Sequence, residues 1–196
     1  MSKKIITISR EFGSGGRYIG EMLAKKLGIA YYDKEIIQKV AEKSGFAKEF
    51  IEKNGEYASS KSIFSYAFAS RDSSGLSTDD FIFMVQREVI KEIAEKESCV
   101  IVGRCADYFL EDRDDVLNVF IYGDQPEKLA RITRLYDKTE KEALAMMKDM
   151  DKKRSINYQY CTDQKWGDRH NYDLSLNSST FGYEGCVDII AELASR

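Results

Sequence analysis

The sequence predicts an α/β fold in three layers, a doubly wound parallel sheet of about five strands with helices on both faces. Three observations predict it. Short β-rich apolar runs alternate with amphipathic helical stretches along the chain, the rhythm of βαβ units. Cys99–Val102 is apolar at every position, as a strand covered on both faces must be. Finally, glycines or charges follow the strands, at residues 10–17, Asp33-Lys34, Gly103-Arg104 and after Tyr122. In doubly wound sheets, ligands bind beyond those strand ends.

Each element follows in order. Lys4–Ser9 is the first strand. The helix Arg17–Leu27 puts Ile19, Met22, Leu23 and Leu27 on one face, and Gly28 suits its C-terminal cap. A short strand, Ile29–Tyr32, ends in Asp33, and the helix Lys34–Lys43 carries Ile36, Ile37, Val40 and Ala41 before Ser44-Gly45 closes it. The rhythm then breaks. Phe46, Phe50, Tyr57, Phe64, Tyr66 and Phe68 are interleaved with a Ser-rich stretch that ends at Gly75. This segment reads as an inserted helical flap or as an ordinary surface excursion. Ser77-Thr-Asp-Asp80 resembles a capping box and opens a long helix to about Lys96, with Ile82, Val85, Val89 and Ile93 inward. Val116–Tyr122 is the fourth strand, and Pro126 sits in the first turn of the helix that runs to Tyr136. Thr139-Glu-Lys-Glu142 is a full capping box for a helix to about Arg154. Residues 155–172 are polar and aromatic without a clear period, Leu174–Leu176 is the last strand, and Cys186, Val187, Ile189, Ile190 and Leu193 mark the final helix.

Composition limits the function. With 30 Lys and Arg against 33 Asp and Glu, the net charge of −3 gives no global attraction to nucleic acid or anionic membrane, so an anion site must be made locally. Four cysteines without a CxxC pair read as reduced cytosolic thiols. His170 is the only histidine, and no zinc centre is expected. Neither a signal peptide nor a span-length apolar run is read from the sequence, so a cytoplasmic location is expected.

The chemistry concentrates after the first strand. Gly13, Ser14, Gly15 and Gly16 form a candidate phosphate cradle: glycines bring backbone N–H groups close to an anion, and the following helix adds its positive end. A Walker A loop would continue with Gly-Lys-Ser/Thr, but here Gly16-Arg17-Tyr18 follows. Tyr18 also stands where a dinucleotide fingerprint needs its third glycine, which disfavours a hydride-transferring enzyme. Arg10 and Arg17 flank the cradle. Either suits the electrostatic part of the absent lysine, or stands as a solvated charge at a helix start. Arg104 follows a buried strand and suits phosphate or base contact. Asp107 is its partner or another helix-start charge. Arg131 and Arg134 share a helix face, and Lys152-Lys153-Arg154 end another helix. Those cations read as an arginine lid over a polyphosphate or as charges that complement a macrodipole. The aromatic tract from Asn157 to Asp173 either stacks a base or packs the lid.

Seven segments carry a resemblance: Ile6-Thr-Ile-Ser-Arg-Glu-Phe-Gly-Ser-Gly-Gly-Arg17, Tyr31-Tyr-Asp-Lys34, Val100-Ile-Val-Gly-Arg-Cys-Ala-Asp-Tyr108, Val119-Phe-Ile121, and Asp151-Lys-Lys-Arg154 with Trp166-Gly-Asp168 and Asn171-Tyr-Asp-Leu174. On these, nearly the whole chain resembles the cytidylate kinase-like proteins, relatives of the P-loop nucleoside monophosphate kinases. The resemblance implies one kinase-like domain over residues 1–196, with an inserted flap at 45–76 for the monophosphate and a lid-like segment at 138–172. It also implies ATP with Mg²⁺ as donor and a small nucleotide such as CMP as acceptor. Gly13, Ser14, Gly15, Gly16, Arg17 and Tyr18 would face the donor, although Gly16 replaces the family's lysine and Tyr18 its threonine. Asp33, Lys34, Lys39 and Arg104 would hold the acceptor, with Lys34 in place of a serine and Lys39 in place of an arginine. Arg17, Arg131 and Arg154 would stabilise the transferred charge. Neither nucleic acid nor membrane is an expected partner, and the oligomeric state stays open. A nucleotide-binding sensor on the same fold, or an enzyme acting on phosphosugars or sulfate, are the other readings.

Overall fold

The computed structural model describes residues 4–45 and 78–196. The expected flap at 45–76 lies, Gly45 aside, outside the described residues. Five strands form one parallel sheet: β1 (Ile5–Arg10), β2 (Ala30–Tyr32), β3 (Cys99–Val102), β4 (Val116–Tyr122) and β5 (Leu174–Asn177). Their order is β2-β3-β1-β4-β5, which puts β1 at the centre. The register pairs Ile5 with both Cys99 and Val116, and carries Arg10 to Ile121 at the last β1–β4 rung.

The helices are α1 (Gly16–Leu27), α2 (Lys34–Ser44), α3 (Thr78–Lys96), the short α4 (Ala106–Phe109), α5 (Gln125–Tyr136), α6 (Glu140–Thr162) and α7 (Ser178–Ala194). Alternation along the strands sends their side chains into two cores. Ile6, Ile8, Val100, Val102, Val119 and Ile121 pack under α1 and α7. Ile5, Cys99, Ile101 and Val116 pack under α2, α3 and α4. β1 and β3 are buried at every position, which explains the unbroken apolar sequence of β3 and the isoleucines at 5, 6 and 8 of β1. Thr7, one of the buried polar residues of β1, donates its hydroxyl to Asn118 Oδ1 at 2.7 Å.

Two helices differ from the sequence reading. α6 continues past Arg154 to Thr162, because Arg154, Asn157, Tyr158 and Thr162 bury one side of it. Its polar-aromatic composition hides that stripe. Its start is the expected capping box, in which Thr139 and Glu142 exchange hydrogen bonds. α7 begins eight residues before Cys186, with a non-helical break at Gly182 (φ 68°, ψ 173°). α4 has no apolar period long enough to be read from sequence. Among the described residues, no helix is long and apolar enough to cross a membrane.

Candidate functional site

The cradle is built where the central strand ends. Gly13 and Gly15 have φ of +89° and +82°, a region that side-chain-bearing residues rarely adopt. Space excludes side chains as well. A Cβ on Gly13 would lie 3.1 Å from Lys128 Cβ, and one on Gly15 would lie 2.5 Å from the Tyr183 ring. Gly15 also caps α1, whose first turn holds no acidic residue and no side-chain cap. The amides and the positive end of α1 therefore meet no built-in anion from that helix. Ser14 is buried and donates its hydroxyl to Glu11 O at 2.9 Å.

Three elements brace this loop. From α6, Asp151 Oδ1 accepts the Phe12 N–H at 2.7 Å, and Arg154 Nη1 donates to Arg10 O at 2.9 Å. The Arg154 guanidinium also lies 5.6 Å from the Phe12 ring centroid, and that ring packs on Ile132, Ala143 and Met147. Burial pushes the Asp151 carboxyl up, against the stabilising Phe12 N–H and Arg154 charge. From α5, Lys128 Nζ pairs with Glu11 Oε2 at 2.5 Å, and the same oxygen accepts the Gly123 N–H. From α7, Tyr183 reaches Gly15, accepts from Arg131 Nη1 at 2.6 Å and lies under that guanidinium at 5.0 Å. Tyr18 is half-exposed and meets Tyr183 edge-on. A cavity of about 310 Å³ opens beside the cradle, lined by Gly13, Lys128, Ser178, Ser179 and Tyr183 among others.

On the other side, Arg17 Nε pairs with Asp33 Oδ2 at 2.8 Å. The arginine is 44% exposed and the aspartate 8%, so the pair presents its cationic partner outward. Tyr31, whose hydroxyl donates to Arg17 O, is pushed up chiefly by burial and then by Asp33, with Arg17 and Arg10 opposing. Lys34 is exposed at the start of α2. Lys39 lines a separate groove between α2 and α3, with Tyr32, Lys43 and Glu92, which shares no residue with the cradle.

After β3 the backbone turns left-handed at three successive residues, Gly103 (71°), Arg104 (63°) and Cys105 (55°). Two of them bear side chains, and such conformations concentrate where function over-determines geometry. Arg104 is buried, and its carbonyl accepts from Gln86 Nε2 at 3.2 Å. Asp107 Oδ2 accepts the Tyr158 hydroxyl at 2.7 Å, and burial pushes the Asp107 carboxyl up to about 6. The neighbouring Cys161 thiol of α6, and then burial, push the Cys105 thiol up. Among the described residues, no three His, Cys, Asp or Glu gather as metal ligands.

The structure thus assembles Gly13–Gly16 with Arg131 and Arg154, and joins Arg17 to Asp33. It keeps Lys39 in its own groove. Sequence reasoning missed Tyr183, the Lys128–Glu11 pair and the Asp151 brace. The available signals were Gly182 interrupting the last helix and Asp151 one turn before Arg154.

A glycine cradle at the end of a central parallel strand, opening a helix, with arginines around it, defines the class: an α/β fold of the P-loop kinase type. A shikimate kinase from Bacteroides thetaiotaomicron shares that fold, at a TM-score of 0.54 and 17% identity over 96% of this chain and 97% of that one. The family model described as cytidylate kinase-like matches residues 5–180, so the chain belongs to the cytidylate kinase-like family. It is 28% identical to a cytidylate kinase of Archaeoglobus fulgidus over 94% of this chain and 91% of that protein. It also resembles an uncharacterized protein of Eubacterium ventriosum, with TM-score 0.74 and 33% identity, covering 98% and 99% of the two chains.

Proposed function

We propose that this protein transfers the γ-phosphoryl group of ATP to a small nucleotide, with a nucleoside monophosphate such as CMP as the leading acceptor. The observation that carries the reading is the cradle itself: left-handed Gly13 and Gly15, uncapped amides at the start of α1, and family membership across the chain. Its amides suit donor phosphate oxygens. Such chemistry rests on positioning and charge stabilisation more than on covalent steps. The cavity beside Gly13 and Lys128 suits the rest of the donor, and the Arg17–Asp33 and Arg104 side suits the acceptor. The α6 segment, with Arg154 and Asp151, would act as the lid-derived brace.

The fit to Mg²⁺ is weaker than the fit to phosphate. Tyr18 is too bulky for the small metal-binding hydroxyl of related loops, and the Ser14 hydroxyl is already bonded to Glu11 O. Mg²⁺ would therefore arrive on the triphosphate, holding its own waters. That same observation favours a second reading, a nucleotide sensor without turnover. One experiment separates them: ADP release with ATP, Mg²⁺ and a panel of monophosphates, alongside calorimetry with and without Mg²⁺. Turnover with any one acceptor supports the kinase. Metal-independent binding with no turnover supports the sensor.

A further inference from the structure

The position that carries lysine in the related kinases is Gly16 here, and the structure gives a steric reason why it carries nothing. A Cβ on Gly16 would lie 2.5 Å from Arg10 Cβ and 2.9 Å from Arg10 Cγ. These atoms belong to the root of a side chain, not its flexible tip, so they cannot swing away. The room that a side chain at 16 would use is filled by the stem of Arg10. Gly16 itself is buried at the first position of α1. Unlike its neighbours Gly13 and Gly15, it has no left-handed φ that would call for glycine. Glycine is therefore required at 16 by Arg10, and not by the backbone.

Arg10 is held for such a role. It ends β1 on the last rung against Ile121, its carbonyl is fixed by Arg154 Nη1 at 2.9 Å, and only 4% of it is exposed. Its Cβ and Cγ pack against Gly16 in the first turn of α1, which keeps the side chain's stem beside the cradle. We infer that Arg10 is the cation of the phosphate cradle: the positive charge has moved from the first turn of the helix to the end of the preceding strand. This assignment rests on the phosphotransfer reading above. An arginine there offers a planar fork to two phosphoryl oxygens, where a lysine offers one point charge. Arg17, half-exposed and paired with Asp33, is then an auxiliary.

The exchange can be reversed by mutation. Arg10→Gly should weaken triphosphate binding by about tenfold and slow turnover by about a hundredfold, the scale of losing one charge-stabilising donor. Gly16→Lys alone should fail to bind, since its stem meets Arg10. The double variant Arg10→Gly/Gly16→Lys should bind triphosphate more tightly than either single variant, as measured by calorimetry, and regain turnover. A double variant no better than the worse single one overturns the inference. Should the glycine variants not fold, Arg10→Lys and Arg10→Gln keep most of the stem. Lys should retain triphosphate affinity and Gln should lose it, at matched melting temperatures without nucleotide. Equal affinity in both again overturns the inference. If instead the wild-type protein neither binds nor turns over nucleotide, the phosphotransfer reading itself is what fails.

Discussion

Tyr183 occupies the space that a side chain on Gly15 would need: a Cβ there would lie 2.5 Å from ring atom Cε1 and 3.0 Å from Cζ. The contact ties the last helix to the cradle, because Arg131 clamps the same ring from α5. Gly15→Ala should lose stability twice, about 1–2 kcal/mol for a left-handed alanine and more for the displaced ring. Removing the ring first, in Tyr183→Ala, leaves only the backbone cost. Urea denaturation of the two single variants and the double should therefore give a double loss smaller than the sum. Strict additivity would mean that the ring does not press on the loop.

Arg154 and Asp151 hold the cradle from below by hydrogen bonds to Arg10 O and Phe12 N. Truncating a buried charge that leaves partners behind costs about 3–5 kcal/mol. Arg154→Ala should accordingly lower the melting temperature sharply, and Lys153→Ala, which removes only an exposed i,i+4 pair with Asp149, should leave it nearly unchanged. An arginine that acted solely on a bound phosphate would cost turnover and spare the melt.

Asp107 supplies a pH signature. Burial raises its carboxyl from 3.8 to about 6 in the folded protein. Between those values the folded state holds more protons than the unfolded one, so this group makes stability fall as pH rises through the window. Above about 6 the penalty is constant, on the order of 3 kcal/mol for a shift of about two units. In Asp107→Asn, the amide oxygen can still accept from Tyr158, and this component should vanish. Chemical denaturation at pH 4 and pH 7.5 should show the variant gaining relative to wild type far more at the higher pH. A gain equal at both pH values would refute the assignment.

The legible part of this protein was whatever repeats along the chain or marks an element's end. The strands were readable because β1 and β3 are buried on both faces, and the capping box at Thr139 because its chemistry is local. The glycine cradle was visible too, as a run of small residues between strand and helix. What stayed hidden depends on pairs far apart in sequence. Asp151 is bonded to Phe12 across 139 positions, and Tyr183, directly after the α7 break at Gly182, meets Gly15 from far along the chain. Arg10 and Gly16 lie six positions apart, yet their steric exclusion emerges only when strand and helix are folded against each other.

The Arg17–Asp33 pair permits a test by sign. Its arginine is exposed enough that the pair should contribute at most about 1 kcal/mol to stability, so substitutions here report mainly on ligands. Arg17→Ala should weaken triphosphate affinity severalfold, less than loss of Arg10. Lys39→Ala should leave it unchanged, because Lys39 belongs to the separate α2–α3 groove. Asp33→Asn removes a negative charge beside the anion site and should do the opposite, tightening triphosphate binding, most clearly at low ionic strength where screening is least. If Asp33 also holds the acceptor, the same variant should raise the acceptor KM. Calorimetry at two salt concentrations, paired with initial rates, reads both effects. Arg17→Ala and Lys39→Ala with equal effects on triphosphate affinity would remove Arg17 from the donor site, and weaker triphosphate binding in Asp33→Asn would mean that Asp33 positions Arg17 for the phosphates instead of competing with them.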